Sequence, residues 1–134
     1  MQMKVLQGVD LVALARFQEV LSRHPALARD LFTERERTYC ESQKSPAIHF
    51  AGRFAAKEAA LKALGIGVTT GIDRAFREVE VTRAESGKPI LALHGWLGTL
   101  GERLRVHEAT VSISHSGEYV IAMVILLCGA ESNS

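Results

Sequence analysis

Four charged side chains interrupt an otherwise apolar stretch, residues 50–64, which reads FAGRFAAKEAALKAL. At about 100° per residue, its phenylalanines and leucines form one stripe of a helix, and alanines fill most of the remaining surface. The charged residues are Arg53, Lys57, Glu58 and Lys62. A helix that is apolar all round is usually buried, and buried charges are tolerated only when they are paired or bind an ion or ligand. This pattern favours a helix that presents charges to a ligand.

The same charges also have an ordinary structural interpretation. Glu58 and Lys62 are spaced i, i+4 in the favourable order, so they could form a surface ion pair worth about 0.3–0.5 kcal/mol. Arg53 and Lys57 have the same spacing but like charges, an unfavourable arrangement that a bound polyanion would relieve. Lys57 also falls within the phenylalanine and leucine stripe. Taken alone, the helix leaves a surface ion pair and a ligand site equally open.

Asp10 is the second candidate for chemistry because it follows a predicted strand, Lys4–Val9, and precedes a predicted helix that begins at Leu11. An aspartate in that position commonly caps the helix, which does not prevent it from binding a metal. Mg²⁺ favours one or two carboxylates together with water and phosphate oxygens. Asp10 and Glu58 together could therefore hold a magnesium ion.

Other patterns are weaker. The glycines at 65, 67 and 71 follow a helix, whereas a dinucleotide-binding or P-loop turn follows a strand and opens a helix. Their remaining use is to supply flexible backbone amides near the end of the charged helix. The five histidines show no zinc-type pair. No serine lies in a nucleophile elbow. Alternation along a predicted strand puts Ser112, Ser114 and Ser116 on one face and His115 on the other. This pattern is also typical of a polar strand end that has no functional role.

Composition limits the class of protein. The chain has 134 residues, 47% of them hydrophobic, so we expect one globular domain. Its net charge of +1 is too small to attract the whole protein to nucleic acid or to a membrane surface. Cys40 and Cys128 have no metal-ligand spacing and fit buried thiols in a reducing cytoplasm. The first residues lack a signal-peptide core, and the longest apolar run, Tyr119–Cys128, is too short to span a bilayer. We therefore expect a soluble cytoplasmic protein.

The order of elements predicts an α+β domain with helices packed on an antiparallel-rich sheet. Helices are predicted for residues 11–23, 34–43, 46–64 and 97–104, and strands for residues 4–9, 79–84, 89–94, 110–115 and 119–127. Leu11 is predicted to lie in the apolar stripe of the first helix. Thr33 and Glu36 are predicted to form a capping box, Gly65 to end the long helix, and Ser86-Gly87-Lys88 to form a hairpin turn. A mobile loop is expected over residues 68–77. The last strand is apolar throughout, so helices or a neighbouring chain must cover both its faces. The domain is predicted to span residues 1–128, followed by a flexible tail, residues 129–134.

Four segments, taken in order, resemble the holo-acyl-carrier-protein synthases of the 4′-phosphopantetheinyl transferase superfamily. They are GVDL at 8–11, AGRFAAKEAALKALGIG at 51–67, SGKPILALHG at 86–95 and VSISHSGEYVIAMVI at 111–125. The F-A-x-K-E-A-x-x-K string is the most specific of them. The resemblance implies transfer of the phosphopantetheine arm of coenzyme A to a serine of apo acyl carrier protein in fatty acid biosynthesis, with release of 3′,5′-ADP.

The resemblance also implies roles for individual residues. Asp10 and Glu58 match magnesium ligands that grip the coenzyme A pyrophosphate, and Lys62 matches a lysine on the transferred phosphate. All three are catalytic candidates. Phosphoryl transfer needs charge neutralisation and in-line positioning, which these groups would supply. Either Glu58 or a metal-bound water could accept the serine proton.

Further positions match groups that bind coenzyme A or the carrier. The candidates for coenzyme A, besides Lys62, are Lys44, Arg53, Gly65, Ser114 and His115. Arg16 on the first helix matches a basic position that docks the acidic carrier protein, for which a local patch suffices. The family forms trimers, so the resemblance implies a homotrimer in which Asp10 and Glu58 of one subunit face Ser114 and His115 of its neighbour.

Three alternatives stay open at this point. The same chemistry could serve a polyketide or other secondary-metabolite carrier protein. The chain could be a non-catalytic coenzyme A-binding module, although it keeps both acids and Lys62. It could also be a structural oligomerisation domain with internal ion pairs, which leaves the repulsion between Arg53 and Lys57 unexplained.

Overall fold

The computed structural model describes residues 2–66 and 72–129, and of residues 72–74 only the backbone. In chain order the elements are β1 (Lys4–Ala13), α1 (Leu14–Arg23), α2 (Leu27–Leu31), α3 (Glu34–Glu41), α4 (Pro46–Ala63), α5 (Ile72–Glu78), β2 (Val79–Arg83), β3 (Pro89–Leu93), α6 (Gly95–Arg103), β4 (Val106–Ser116) and β5 (Tyr119–Cys128). No helix among these residues is long and apolar enough to cross a membrane. The predicted α+β class is confirmed.

The described strands form two antiparallel sheets. The larger sheet has the order β1-β5-β4, so the apolar last strand lies in its centre. Its register pairs Asp10 with Ala122 and Ala122 with Ile113 across the three strands. The smaller sheet is the hairpin β2-β3, as the Ser86-Gly87-Lys88 turn predicts. Gly87 takes φ 91°, a conformation that favours glycine.

Helix α4 packs across one face of the larger sheet and forms much of the core. Eleven of its eighteen residues are buried, which confirms the buried helix predicted from its alanine-rich pattern. The approach to β1 is very close, since a Cβ added to Gly8 would lie 2.0 Å from the Ala59 carbonyl oxygen. A Cβ at Gly52 would lie 3.0 Å from a methyl group of Ile113 on β4. Small residues on both surfaces therefore set how close α4 comes to the sheet.

The start of the chain differs from the prediction. Strand β1 continues to Ala13 instead of ending at Val9, and helix α1 begins at Leu14 instead of Leu11. Asp10 therefore does not cap α1, whose N-cap residue is Ala13. Leu11 was predicted to lie in the apolar stripe of the helix, but its side chain is exposed on β1. Hydrogen bonding to β5 over ten paired residues extends the strand through this segment.

Four later elements also differ from the prediction. Residues 72–78 form helix α5, where a mobile loop was predicted over residues 68–77. The part of that loop at 68–71 lies outside the described residues, as do Gly67 and the tail beyond Gly129. Helix α2 was not predicted at all. Strand β4 begins at Val106 instead of Thr110, and helix α3 ends at Glu41, two residues early. Its predicted capping box between Thr33 and Glu36 is present.

Lys57 is fully buried and forms an internal ion pair. Its Nζ lies 2.7 Å from Glu36 Oε1 of helix α3, and neither side chain is exposed. The ammonium also donates to the carbonyl of Phe76 at 2.7 Å and to that of Val79. The other Glu36 oxygen accepts from the Val81 backbone N–H. This ion pair ties α3, α4, α5 and β2 together, and it relieves the charge of Lys57 without any external polyanion.

We predict that Lys57→Met destabilises the protein by about 3–5 kcal/mol, because it leaves the Glu36 carboxylate buried without a cation. Urea denaturation followed by circular dichroism measures the loss. The double variant Lys57→Met/Glu36→Gln should recover part of it, since both buried charges are then removed. A double variant no more stable than Lys57→Met would contradict the pairing.

Candidate active site

Asp10, Glu58 and Lys62 lie together where helix α4 crosses strand β1. Alternation along β1 directs the Asp10 side chain toward the helix, on the same face as the buried Val12. Lys62 Nζ lies 3.0 Å from Asp10 Oδ1 and donates to the Val9 carbonyl at 3.1 Å. Asp10 and Glu58 line one pocket of about 280 Å³. Acids 48 positions apart in the chain thus converge, at a place fixed by the close contact of Gly8 with Ala59.

The electrostatics of the pair are those of two crowded carboxylates. Burial raises the pKa of Glu58, the charge of Asp10 raises it further, and the Lys62 ammonium opposes both effects. The ion-pair partner of Lys62 is Asp10. Glu58 and Lys62 thus do not form the surface ion pair that their i, i+4 spacing allows. The Glu58 carboxylate forms no hydrogen bond within the part of the chain described. Its carboxylate oxygens are available to a cation.

The donor set fits magnesium better than other metals. Residues 2–66 and 75–129 hold no cluster of three or more histidine, cysteine or acidic side chains suited to a metal. Two carboxylates with no nitrogen or sulfur ligand suit a hard cation that takes its remaining ligands from water and phosphate, as Mg²⁺ does. A cation between Asp10 and Glu58 would also remove their repulsion. The residues present therefore fit the expected ion.

The pocket is lined by both charged and apolar side chains. Arg16 of helix α1 lies at its rim with the two acids, while Phe17, Leu31 and Phe54 are among its apolar walls. Lys62 also lines a second pocket of about 570 Å³, with Gly8 and Met123, on the side of β1 and β5. Lys62 therefore contacts Asp10 and also borders this second opening.

The other predicted residues are spread over different parts of the molecule. Arg53 is buried on α4, with its guanidinium carbon 4.3 Å from the centre of the Tyr39 ring on α3. Lys44 is exposed between α3 and α4. Gly65 follows the C-cap of α4 with φ 76°, as predicted for a glycine that ends the helix.

Ser114 and His115 lie on the opposite edge of the sheet from Asp10. Both are exposed on β4, and β5 separates them from β1. At roughly 4.8 Å per strand, the two edges are about 10 Å apart. His115 Nε2 lies 3.1 Å from the Gly117 carbonyl of the following turn. Within one subunit, the structure therefore does not bring the Ser114–His115 pair onto the carboxylates.

Sequence reasoning missed the aromatic and basic cluster around Arg53. Tyr39, His49 and Arg83 come from three different elements and share no local pattern that marks them.

The sequence correctly predicted that the cysteines are free and buried. Burial raises the pKa of the Cys40 thiol to about 12, so Cys40 is not a nucleophile at neutral pH.

The sequence of this chain matches a family of known proteins. A model of the 4′-phosphopantetheinyl transferase superfamily (ACPS) matches residues 7–124. The chain belongs to that superfamily.

Individual relatives match over most of their own length. A holo-[acyl-carrier-protein] synthase from Syntrophotalea carbinolica is 44% identical over 119 residues, 88% of this chain and 91% of the relative. An ACPS–CoA complex from Chronobacterium ammoniagenes has a TM-score of 0.83 at 33% identity and covers 95% of this chain and 99% of its own. The holo-(acyl-carrier-protein) synthase of Bacillus anthracis, in complex with CoA (3′,5′-ADP), has a TM-score of 0.76 at 33% identity. The match covers 96% of this chain and 100% of the Bacillus anthracis chain.

The raised pKa of Glu58 predicts a pH dependence of stability. The folded protein holds this proton more tightly than the unfolded chain, so stability falls as the pH rises from 4.5 through the raised value. In cation-free buffer at neutral pH, Glu58→Gln should therefore unfold at a higher urea concentration than wild type. Below pH 4.5 the difference should vanish.

Urea midpoints across this pH range test the prediction, with the exposed carboxylate variant Glu102→Gln as the matched control. Mg²⁺ should stabilise wild type and the control but not Glu58→Gln. If the urea midpoint of Glu58→Gln changed with pH as that of wild type does, Glu58 would not be the carboxylate with the raised pKa.

Proposed function

We propose that this chain transfers 4′-phosphopantetheine from coenzyme A to a serine of apo acyl carrier protein in a magnesium-dependent reaction that releases 3′,5′-ADP. The observation that carries the proposal is that Asp10 and Glu58 line one pocket while Lys62 donates a hydrogen bond to Asp10. The relatives named as holo-[acyl-carrier-protein] synthases support it, as do the structures of such proteins with CoA. The free, buried thiols support a reducing cytoplasm as the location.

The reaction exchanges one P–O bond for another. The serine oxygen attacks the phosphorus that carries the pantetheine arm, and the bond from that phosphorus to the bridging oxygen breaks, so that the electron pair leaves with 3′,5′-ADP. The serine proton passes to Glu58 or to solvent. Bound Mg²⁺ would supply positive charge to the pyrophosphate oxygens.

The side chains of the pocket have separate tasks. Asp10 and Glu58 would hold the cation, and the free oxygens of Glu58 are its most available ligands. Lys62 carries its ammonium beside Asp10, where it would stabilise charge on the transferred phosphate. Its side chain is half exposed and can therefore move toward a phosphate, while a cation bound by Asp10 and Glu58 would neutralise the mostly buried Asp10 carboxylate. Arg16 at the rim would meet the acidic carrier.

We predict that Glu58→Gln and Lys62→Met each lower kcat/KM by about 10²–10³-fold, because each removes a charge that stabilises the transition state. The measurement is the gain of one phosphopantetheine group on apo acyl carrier protein, weighed by mass spectrometry with coenzyme A and Mg²⁺ present. Glu102→Gln is the control and should transfer at the wild-type rate. Wild type that binds coenzyme A without transferring it at any Mg²⁺ concentration would identify a binding module.

We also propose that the chain assembles as a homotrimer with active sites between subunits. The face of the larger sheet away from α4 exposes a band of apolar side chains, each between 42% and 59% exposed: Val5, Val9, Leu11, Tyr119, Ile121 and Met123. A contiguous apolar patch of this kind marks an interaction surface. Its central strand is the one predicted to need cover on both faces. Because β1 is the edge strand of this sheet, a neighbour that packs on this face and extends around that edge would bring its Ser114 and His115 toward Asp10 and Glu58.

Co-expression of two inactive variants tests this assembly. Glu58→Gln and His115→Ala should each be inactive alone. In a randomly mixed ring, about a quarter of the sites combine wild-type Glu58 from one subunit with wild-type His115 from its neighbour. The mixed protein should regain about a quarter of wild-type turnover and sediment as a trimer. A fully active monomer, or no recovery in the mixed trimer, would contradict sites between subunits.

A further inference from the structure

Arg53 is a buried cation without an anionic partner. Its side chain is only 5% exposed, and its Nε is sealed from solvent with no hydrogen bond. In the part of the chain described, the Arg53 side chain makes neither an ion pair nor a hydrogen bond, and its guanidinium lies over the Tyr39 ring. A buried guanidinium without a carboxylate is costly, and a ligand anion would offset that cost.

Tyr39 is itself held in place from two sides. Arg83 Nη1 donates a hydrogen bond of 2.6 Å to the Tyr39 hydroxyl, and its guanidinium carbon lies 5.0 Å from the ring centre. The His49 ring meets Tyr39 edge-on, with centroids 5.6 Å apart. Residues of α3, α4 and β2 therefore fix the orientation of one aromatic ring, on which Arg53 stacks.

The cluster carries positive charge that nothing inside it neutralises. Burial lowers the pKa of His49, and the charges of Arg53 and Arg83 lower it further, so His49 packs against Tyr39 as a neutral ring. The neighbouring cation Lys57 is already neutralised by Glu36. Arg53 and Arg83 keep their charges for an anion from outside.

The geometry of a stack suits Arg53 to bind a phosphate. A guanidinium held with its carbon over an aromatic ring can still donate from the N–H groups at its edge. With Nε sealed, the Nη groups are the donors that remain. A guanidinium edge matches the oxygens of a phosphate monoester in a bidentate arrangement.

We propose that Tyr39 is a positioning residue that holds Arg53 in the orientation that binds the 3′-phosphate of coenzyme A, with Arg83 fixing Tyr39 in turn. This inference rests on the proposed function, because it takes coenzyme A as the ligand. Tyr39 acts through Arg53 and does not itself touch the reacting atoms. Loss of its ring should weaken recognition of that one phosphate and leave the chemistry at Asp10 and Glu58 unchanged.

The test compares coenzyme A with 3′-dephospho-coenzyme A. Tyr39→Leu should raise KM and the calorimetric Kd for coenzyme A about 3- to 30-fold, the range that a desolvated cation–π contact supports, with kcat unchanged. For 3′-dephospho-coenzyme A, the same variant should match wild type in Kd. Tyr39→Phe keeps the ring and loses only the bond from Arg83, so its effect should be smaller. Trp96→Leu, which removes an exposed aromatic side chain on α6, is the control and should change neither ligand.

Each outcome decides the proposal. An equal loss of binding for both ligands in Tyr39→Leu would overturn it, because a merely structural role does not discriminate between them. Wild type that binds coenzyme A without transferring its arm would defeat the proposed function, while the two binding constants would still decide the role of Tyr39. Wild type that binds neither ligand would overturn both.

Discussion

The contact between helix α4 and strand β1 is the constraint on which the site depends. Gly8 and Ala59 approach so closely that no side chain fits between them. A larger residue at either position would push the helix away from the sheet and move Glu58 and Lys62 away from Asp10. The alanines of α4 thus do more than fill the core, because their small size brings charged groups from two distant segments within hydrogen-bonding distance.

Helix α4 divides its charges between two kinds of task. Lys57 points inward, where Glu36 and two backbone carbonyls satisfy it, and so it serves stability. Glu58 and Lys62 lie on the flank that faces β1, where the carboxylate has no hydrogen bond of its own within the described residues. The internal ion pair is therefore confirmed for Lys57, while the charged ligand site stays a prediction for Glu58 and Lys62.

Most of the fold followed from local pattern, and the failures have physical causes. The capping box at Thr33, the glycine at the end of α4 and the hairpin turn at Gly87 are local, so sequence predicted them. The boundary between β1 and α1 was wrong because pairing with β5 extends the strand through Leu11, whose spacing also fits a helix. The partners of Lys57 and Arg53 come from α3 and β2, and no spacing along α4 reveals them. Resemblance to a family supplied residue roles that pattern alone left open.

The positions of Arg53 and Glu58 support a site shared between subunits. Five residues apart on one helix, they are separated by about 7.5 Å along the axis and about 140° around it, so they face different sides of α4. Arg53 faces α3 and Tyr39, whereas Glu58 faces the pocket at β1. A single extended ligand with phosphates at both ends would have to cross the helix to reach both within one subunit. The same ligand lying in a cleft between two subunits can take the carboxylates from one subunit and the basic cluster from the next, which is the arrangement that the exposed apolar face of the sheet permits.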